Sequence, residues 1–585
     1  MTAVNVKTGE EIELLTYDQI VSWVQTKLDS GCVFIGHNFM SFDAPTLNRL
    51  CGTRIPVSRI VDTLLLSMLY SPSLDGGHSL EDWGKRLRFP KGHFDDWKNP
   101  SQLMYDYCMQ DSRLCRRIYI ELVKRMLRAK FSDGGIETQH KAWQLIQTQK
   151  KNGFSFNLPA AHTLYAKLGS ILEELTEKVY EQWPPTLECV VTYKKARKAD
   201  GTYTANYLKH QEQFVRLDET DDGGYKAFDY VSFNIGSAQQ RVEKLVELGW
   251  RHYPDEVTKG GAPKPTDKGR LVPSLVKFIE ENPHPGPRLI ATWMDINARQ
   301  NMINTWMEAF NESTGCIHGS LWLANTLRYK HSGPNTANIP AVRVDKEDHP
   351  LRGDAGAYTY EARDLWGTRD PSNRRLVGVD AKGIQLRVLA HYLNNPDFTK
   401  AVLDGDPHSY NQQIGGFATR AIAKTFIYAF LLGCGDAKAG SIIGGSPRDG
   451  KEIKARFIGN FPGLAQLLDK LEREIGSTGR IRLIDGTPIL VNQMHTRLGY
   501  LLQGDESCIM KKAMVYVHQA NLRQRLDVLK VGDIHDEWQS DVSISSIDQY
   551  IANCKQSFPA VRDSFRYNIP LDCDAKVGLT WAETH

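Results

Sequence analysis

Cysteine is scarce in this chain. The 585 residues include ten cysteines, and the sequence contains neither a Cys-x-x-Cys pair nor a Cys/His cluster. This scarcity excludes a fold that is built on disulfide bonds. We therefore expect reduced thiols and a cytoplasmic setting.

Long apolar runs and an excess of charge of one sign are also missing. No run approaches the ~20 apolar residues that a membrane helix needs, and the opening MTAVNVKTGEEIELL lacks the layout of a signal peptide. The 72 Lys and Arg residues nearly balance the 69 Asp and Glu residues, which leaves a formal charge of +3. We expect no membrane partner, and a site for a polyanion has to come from local clustering of charge.

The sequence pattern changes along the chain, which predicts several domains. The first 130 residues or so mix an apolar strand at 32–35 with helical stretches such as 104–127. Helical periodicity dominates from about 131 to 320, with an interruption at 183–233, and strands alternate with helices again after about 370. The predicted fold class is therefore α/β with several domains.

Two acidic groups in the C-terminal half follow apolar strands. In RLVGVDAKGIQLR the strand ends at Asp380, and in VLKVGDIHDEWQSDV the triplet His535, Asp536 and Glu537 lies where two strands turn. Asp380 alone could be a helix cap, and the triplet alone could be a solvated hairpin tip. However, adjacent carboxylates repel each other unless they are solvated or bind a cation.

A basic stripe lies between these acidic groups. In TRAIAKTFIYAFLL, Arg420, Lys424 and Tyr428 are spaced four residues apart and share one helix face. Taken alone, the stripe could be a solvated surface. Two like charges four residues apart are unfavourable without an anion, and a triphosphate beside them would reverse the sign.

Together the three patterns predict a nucleotidyl transfer site. Paired aspartates can hold two divalent cations that activate a 3′ hydroxyl and stabilise a leaving pyrophosphate. The basic helix would bind the triphosphate, and Lys424 would protonate the leaving group.

The motifs resemble those of a known family. The strings DAKGIQLR, R-AIA-K-TFI-Y and HDE, in this order, are similar to motifs A, B and C of family A (Pol I-like) DNA polymerases, in particular the replicative branch of short-tailed (podovirus) bacteriophages. The resemblance implies a right-hand polymerase with palm, fingers and thumb, preceded by a truncated ribonuclease H-like 3′–5′ exonuclease-type domain. The implied domains are an exonuclease-like domain at 1–130, a thumb at 131–315 with an insertion at about 183–232, palm at 316–400, fingers at 401–480 and palm again at 481–585.

The resemblance also implies site residues, two Mg²⁺ ions as cofactors and template-directed DNA synthesis as the activity. The metal ligands would be Asp380, Ala381 through its carbonyl, Asp536 and Glu537, with Asp380, Asp536 and Lys424 as the catalytic residues. The incoming dNTP would be bound by Gln385, His408, Arg420, Lys424 and Tyr428, and the DNA by Arg328, Gln503 and His535.

Three positions depart from the family pattern. Gln385 stands where much of the family has a Glu that blocks the ribose 2′ hydroxyl, and Leu432 stands where the family has the tyrosine that bonds to this Glu. Gly499 replaces an asparagine near the primer strand. These changes bear on fidelity and on discrimination between sugars, not on the chemistry.

The N-terminal region resembles part of a proofreading exonuclease. HNFMSFDAPTL contains Asp43 and YDYCMQD contains Tyr107 and Asp111, while IVDTLLLS adds Asp62. The first exonuclease motif, Asp-x-Glu on a strand, is missing, and Glu11-Ile-Glu13 is the nearest substitute. Asp43 alone could be a helix cap, and Asp111 alone could be a surface carboxylate. Because the missing motif would supply two metal ligands, we expect weak or absent proofreading.

The expected partners are primer-template DNA and dNTPs, in the cytoplasm of an infected bacterial host. The insertion carries a basic cluster, Lys194, Lys195, Arg197 and Lys198, that suits a DNA backbone. A thioredoxin-like processivity factor and a phage helicase-primase are further partner hypotheses. There are three alternatives. The bulky Gln385 argues against a single-subunit phage RNA polymerase, and the missing Asp-x-Glu argues against a nuclease. A non-catalytic DNA-binding relic would not need the intact Asp380, Asp536 and Lys424.

Overall fold

The computed structural model describes residues 1–98, 100–267 and 270–584. Two compact units share the chain. The larger unit comprises Met1–Asn157, Glu308–Val342 and Arg363–His585, and the smaller unit comprises Leu158–Met307 and Arg343–Ala362. No described helix is both long enough and apolar enough to span a bilayer.

The N-terminal part of the larger unit contains two small sheets surrounded by helices. Strands β1 and β2 pair antiparallel, while β3 and β4 pair parallel. A capping box between Thr16 and Gln19 starts the first helix, and Asp62 caps the third. The elements are β1 (Thr2–Val4), β2 (Glu11–Glu13), α1 (Tyr17–Asp29), β3 (Phe34–Gly36), α2 (Asp43–Cys51), β4 (Ile60–Asp62), α3 (Thr63–Tyr70), α4 (Leu80–Arg86), α5 (Gln102–Arg128), α6 (Asp133–Asn152) and β5 (Phe154–Phe156).

The smaller unit is helical, with a three-stranded sheet inserted at the predicted interruption. The sheet order is β6-β8-β7, all antiparallel, and buried Tyr207 and Tyr225 form its own small core. Its elements are α7 (Leu158–Gln182), β6 (Thr186–Tyr193), α8 (Ala205–Gln213), β7 (Arg216–Glu219), β8 (Tyr225–Val231), α9 (Ala238–Glu247), β9 (Thr266–Asp267), β10 (Arg270–Leu271), α10 (Pro273–Glu281) and α11 (Pro285–Glu308).

The remaining chain completes the larger unit around a four-stranded antiparallel sheet in the order β19-β20-β16-β21. Its elements begin with β11 (Phe310–Asn311), β12 (Cys316–Ile317), β13 (Ser320–Leu323) and β14 (Tyr329–Ser332). The helix that follows in the chain, α12 (Thr359–Asp364), has its first four residues in the smaller unit. The larger unit then contains β15 (Trp366–Gly367), β16 (Arg374–Ala381), α13 (Ile384–Leu393), α14 (Pro396–Asp404), α15 (Pro407–Gly415) and α16 (Arg420–Leu431). They continue with α17 (Asp436–Ile442), α18 (Pro447–Asn460), α19 (Leu464–Thr478), β17 (Arg480–Arg482), β18 (Pro488–Leu490), α20 (Arg497–Gln524), β19 (Val528–Ile534), β20 (Glu537–Ser543), α21 (Ile547–Phe565) and β21 (Cys573–Gly578).

Strand β16 is the central feature of this sheet. Leu376, Val377 and Val379 are fully buried, as a strand with neighbours on both sides requires. Gly378 has no room for a side chain, since a Cβ there would lie 2.2 Å from the carbonyl oxygen of Thr584. The predicted strand 376–379, the helix 384–392 and the hairpin near 528–542 are all confirmed, with bounds within two residues at the strand and helix.

Candidate active site

Asp380 and Asp536 come together at one end of the sheet. In the strand register Asp380 lies opposite Glu537 on β20 and Asp574 on β21. The backbone N–H of Ala381 donates to the carbonyl oxygen of Asp536 at 3.0 Å. The two aspartates that the sequence places 156 residues apart are therefore neighbours, and the Asp380 side chain is exposed.

The turn between β19 and β20 consists of His535 and Asp536. His535 adopts a positive φ of 62°, which suits a two-residue hairpin turn. Its ring is half-buried, and Nδ1 has no hydrogen-bond partner among the described residues. Burial and the nearby charge of Arg328 lower the pKa of His535, while Asp536 and Asp533 oppose the shift. We expect a neutral imidazole in this turn at pH 7.

Glu537 differs from its neighbour Asp536 in its surroundings. Its side chain is buried, and Oε1 accepts hydrogen bonds from Gln539 Nε2 at 2.6 Å and from Trp581 Nε1 at 2.7 Å. These two donors hold the carboxylate in a fixed position beside the strand pair. A cation that bound Glu537 would have to do so while Oε1 still accepts these two hydrogen bonds.

The basic stripe lies on α16, which begins after the N-cap Thr419. Lys424 is exposed, and within the described part of the chain it has no ion-pair partner. Arg420 differs, because its guanidinium binds both carboxylate oxygens of Asp406, at 2.5 and 3.1 Å. The unfavourable like-charge pair of the sequence analysis is therefore relieved by an acid of the chain itself, the N-cap of α15.

His408 and Tyr428 face each other across the same region. Their ring centroids lie 5.8 Å apart in an edge-to-face arrangement. His408 is buried, its Nδ1 has no partner among the residues described, and burial lowers its pKa with help from the charges of Lys424 and Arg420. Burial also raises the pKa of Tyr428, and the negative charge of Asp536 adds to that shift. The tyrosine of α16 thus lies within electrostatic reach of the hairpin aspartate.

A buried carboxylate, Glu506 on α20, joins two of the predicted residues. Its Oε2 accepts a hydrogen bond from Gln385 Nε2 at 2.9 Å and forms an ion pair with Arg328 Nη2. Burial raises the pKa of Glu506 to about 7; Arg328 opposes this shift and the charge of Asp536 adds to it. Glu506 was not predicted from the sequence. The available signal was a pair of adjacent acids inside the otherwise apolar stretch GYLLQGDESCIM.

Helix α20 also holds the backbone that precedes Arg328. Leu327 has a positive φ of 61°, and its carbonyl oxygen accepts from Ser507 Oγ at 2.9 Å and from Lys511 Nζ at 2.6 Å. Gln503, one turn before Ser507 on the same helix, is half-buried. Of the three predicted DNA-contacting residues, Arg328 is bound by Glu506, Gln503 lies on the same helix as Glu506, and His535 lies in the hairpin turn.

The departures at Leu432 and Gly499 meet in the structure. A Cβ at Gly499 would lie 3.0 Å from the carbonyl oxygen of Leu431 and 3.3 Å from the Cα of Leu432. A side chain at position 499 would therefore require the end of α16 to shift by a few tenths of an ångström, while the Leu432 side chain is exposed.

The donor set at the end of β16 fits divalent magnesium. Carboxylates of Asp380 and Asp536 together with a backbone carbonyl at Ala381 are hard oxygen donors, which Mg²⁺ prefers. Elsewhere among the residues described, one further cluster of possible ligands occurs, formed by Asp345, Glu347 and His349 in the smaller unit. Two of these side chains are exposed, and exposed acidic groups of this kind are common without an ion.

Two of the N-terminal candidates, Tyr107 and Asp111, lie beside Lys91. Lys91 lies 3.7 Å from the Asp111 carboxylate and 5.3 Å from the centre of the Tyr107 ring, so these two residues do share one face of α5. Burial and the charge of Asp62 raise the pKa of Asp43 to about 6. Asp62 itself accepts backbone N–H groups of Asn38, Met40 and Leu64.

The nearest substitute for the missing exonuclease motif is engaged elsewhere. Both oxygens of Glu11 accept hydrogen bonds from Arg113, each at 2.7 Å. Glu11 belongs to the separate β1–β2 pair rather than to the β3–β4 pair that carries Asp62. Among the residues described, the β3–β4 pair therefore carries no Asp-x-Glu that could act together with Asp43.

Comparisons with known proteins identify the family of this chain. The family model for DNA polymerase family A matches residues 210–583, well over half of the chain. The DNA-directed DNA polymerase of Escherichia phage T7 is 27% identical over 96% of this chain and 94% of its own length, and that of Enterobacteria phage T3 is 26% identical over the same shares.

A solved structure shares the fold. The POL domain of Pol1 from M. smegmatis, in complex with DNA primer-template and dNTP, superposes with a TM-score of 0.70 at 16% identity, over 98% of this chain and 91% of that one. The right-hand polymerase fold of the sequence analysis is thus confirmed. The chain belongs to DNA polymerase family A.

Proposed function

We propose a two-metal mechanism for the template-directed DNA synthesis that this family A polymerase carries out. The observation that supports it is the meeting of Asp380 and Asp536 at one end of the β16–β20 strand pair, within electrostatic reach of Tyr428 on α16. Two acids and a basic helix on one site are what transfer of a nucleotide to a primer 3′ hydroxyl requires.

Asp380, Asp536 and the carbonyl of Ala381 would hold the two Mg²⁺ ions, and Glu537 is a further proposed ligand. Family A polymerases are metal-dependent. When bound, the ions lower the pKa of the primer hydroxyl and neutralise the charge that develops on the phosphate oxygens. Trp581 and Gln539, which donate to Glu537 Oε1, would keep that carboxylate in place.

The triphosphate would bind along α16. Lys424 Nζ is proposed to contact the phosphates and to donate a proton to the departing pyrophosphate. Arg420 would exchange its Asp406 carboxylate for a phosphate oxygen, since a guanidinium binds either one through two hydrogen bonds. His408 would reach the β-phosphate from α15, and Tyr428 would stack on the sugar and base.

The nascent base pair would be tested by Arg328 and Gln503 in the minor groove, with His535 near the primer terminus. Minor-groove acceptors occur in all four base pairs, so such contacts test shape and not sequence. Gln385 would block the ribose 2′ hydroxyl through its bulk.

The domain assignment follows the family. We propose palm at 316–400 and 481–585, fingers at 401–480, thumb at 131–315 and an exonuclease-like domain at 1–130. The thumb range holds most of the smaller unit, and the insertion at about 183–232 coincides with the sheet of β6, β7 and β8. Exposed lysines on that insertion support a contact with the DNA backbone.

Primer-template DNA and dNTPs are the proposed ligands, because the M. smegmatis structure is a complex with both. A thioredoxin-like processivity factor and a phage helicase-primase remain proposals for further partners. The matches to phage enzymes support synthesis in the cytoplasm of an infected host.

The test is primer extension by Asp536→Ala. Without this carboxylate one metal ligand is lost, so we expect extension to fall by more than about a hundredfold while binding to primer-template is kept. The matched control is Asp370→Asn, which changes a half-buried carboxylate in the turn just before β16, at the opposite end of that strand. It should extend at the rate of the unmodified protein. Normal extension by Asp536→Ala would overturn the metal assignment.

A further inference from the structure

Glu506 is fully buried and holds two of the residues that the proposed function uses. We propose that Glu506 is a positioning residue that fixes Gln385 and Arg328 as one unit, so that the sugar and the base pair of an incoming nucleotide are tested together. This inference rests on the proposed function, and it adds a residue that the family motifs do not contain.

The contacts of Glu506 unite two separate elements. Gln385 lies on α13, directly after the strand that carries Asp380, and Arg328 lies between β13 and β14. Both donate to the same oxygen, Oε2 of Glu506. In the ionised form that pairs with Arg328, Glu506 accepts but cannot donate, so the nitrogen end of the Gln385 amide faces it. The contact therefore fixes the orientation of the side chain at the ribose position.

The Arg328 side of the contact is reinforced by the same helix. Ser507 and Lys511, one and five residues beyond Glu506, hold the carbonyl of Leu327. Arg328 is therefore held by its backbone and by its guanidinium from a single helix. Its Nε is buried and has no hydrogen-bond partner among the described residues, so most of its fixed orientation depends on Nη2 and Glu506.

Stability alone does not account for this carboxylate. Its other oxygen, Oε1, is buried and has no partner in the described part of the chain. A buried acid that is only partly satisfied costs stability relative to an apolar side chain of the same volume. A positioning role explains why an acid occupies the place.

The adjacent acid provides the contrast. Asp505 is also fully buried, but it accepts from the hydroxyls of Tyr392 and Tyr567 and from the N–H of Ile484. None of these partners belongs to the proposed nucleotide site. The two neighbouring acids are equally buried but bind different partners. Asp505 is therefore the matched control for Glu506.

The geometry also permits an exchange test. In the double variant Gln385→Glu with Glu506→Gln, the carboxylate moves from α20 to α13 and the amide moves the other way. One carboxylate and one amide still face each other, and Arg328 still has an acid within reach. A positioning role predicts that the exchange restores what the single Glu506→Gln variant loses.

The experiment measures kcat and KM for one dNTP and for the matching ribonucleotide on a fixed primer-template. For Glu506→Gln we expect the preference for the deoxynucleotide, as a ratio of kcat/KM values, to fall by about tenfold through a higher dNTP KM, with kcat within about threefold. The double variant should recover most of the preference. Asp505→Asn should keep the preference, whatever its effect on thermal stability.

Three results would overturn the positioning role of Glu506. An unchanged preference in Glu506→Gln, or a double variant no better than the single one, overturns the proposal. A loss of kcat at saturating dNTP beyond a hundredfold also overturns it, because Glu506 would then act in the chemical step. The proposed function fails independently, through normal extension by Asp536→Ala.

Discussion

At the scale of the residue, the pairing of Arg420 with Asp406 changes how the basic stripe should work. The guanidinium holds the pKa of the Asp406 carboxyl well below its usual range, chiefly through their hydrogen bonds. In the proposed function a triphosphate would have to compete with Asp406 for Arg420, whereas Lys424 is open to solvent. We therefore expect Lys424 to contact the phosphates first and Arg420 to contact them afterwards.

Single residues were predicted from the sequence where their chemistry stood out from their surroundings. Asp380 and Asp536 each interrupt an apolar strand pattern, and Arg420, Lys424 and Tyr428 repeat every four residues. Glu506 was not predicted, because its role follows from its contact with Gln385, which lies 121 residues earlier in the chain. No local pattern records such a pairing.

Asp505 carries a residue-scale prediction on pH. Burial raises the pKa of Asp505 to about 7 in the folded chain, against the tyrosine hydroxyls and the Ile484 N–H that favour its charged form. Between about pH 4 and 7 the folded chain therefore binds a proton that the unfolded chain releases. The free energy of unfolding falls as pH rises through this window, by at most about 1.4 kcal/mol per pH unit for one group.

Asp505→Asn removes this titration, because the amide is neutral throughout. We expect its midpoint of thermal denaturation to depend less steeply on pH between 5 and 7 than that of the unmodified protein. The exposed carboxylate of Asp469 serves as control, and Asp469→Asn should keep the original slope. Equal slopes in Asp505→Asn and the unmodified protein would show that Asp505 stays charged when buried.

At the scale of the element, strands and helices beside the motifs were predicted well and the inserted sheet was not. Strand β16 reads as a continuous apolar run, and α16 has a clear apolar face. The segment 183–233 mixes Pro-Pro, aromatics and charges, so its periodicity is weak. Its strand β6 is almost wholly exposed, and its partner β8 buries only alternate residues at one end, which leaves little pattern to read.

The basic cluster of this insertion gives an element-scale prediction. Arg197 is bound by Glu219, but Lys194, Lys195 and Lys198 are exposed and have no ion-pair partner among the described residues. Replacing these three lysines by alanine should weaken binding to duplex DNA. The slope of log affinity against log salt should become shallower by about 2 to 3, since each phosphate contact contributes about 0.9.

The matched control removes three lysines of the same unit that already have acidic partners: Lys244, Lys264 and Lys277 pair with Glu247, Asp267 and Glu281. Their replacement should leave the salt slope unchanged. Equal slopes for both triple variants would show that the cluster is only a solvated surface.

At the scale of the whole molecule, the division of the chain was the least predictable feature. The smaller unit takes in residues 343–362, after the chain has already returned to the larger unit at 308–342. Arg343 bonds to Asp295 at 2.7 Å and the buried Arg299 donates to the carbonyl of Ala357. Such returns are fixed by contacts between distant residues, whereas composition and periodicity describe only local sequence.

The N-terminal part of the molecule should not shorten a primer. Lys91 pairs with Asp111 and Asp62 caps a helix, so both of these carboxylates already serve the fold. Glu11, on the separate β1–β2 pair, is held by Arg113. With a 5′-labelled primer, Mg²⁺ and no dNTPs, we expect no shortening, while addition of dNTPs should lengthen the same primer.

If the unmodified protein does shorten the primer, the variant Asp111→Asn shows which site is responsible. If the unmodified protein shortens the primer and Asp111→Asn does not, the N-terminal region is an active nuclease and the expectation is wrong. Shortening that survives in Asp111→Asn would come from another site or a contaminant.

The bond between Gln385 and Glu506 also constrains how such a site can evolve. An acid on α13 and an acid on α20 are alternative solutions, and a lineage can pass between them by two substitutions. One intermediate has a half-buried and a buried carboxylate within hydrogen-bond distance, and these must share a proton or repel each other. The other intermediate has two amides, and the largely buried Arg328 loses its counter-charge, which also destabilises the fold. Both routes therefore pass through an unfavourable pair.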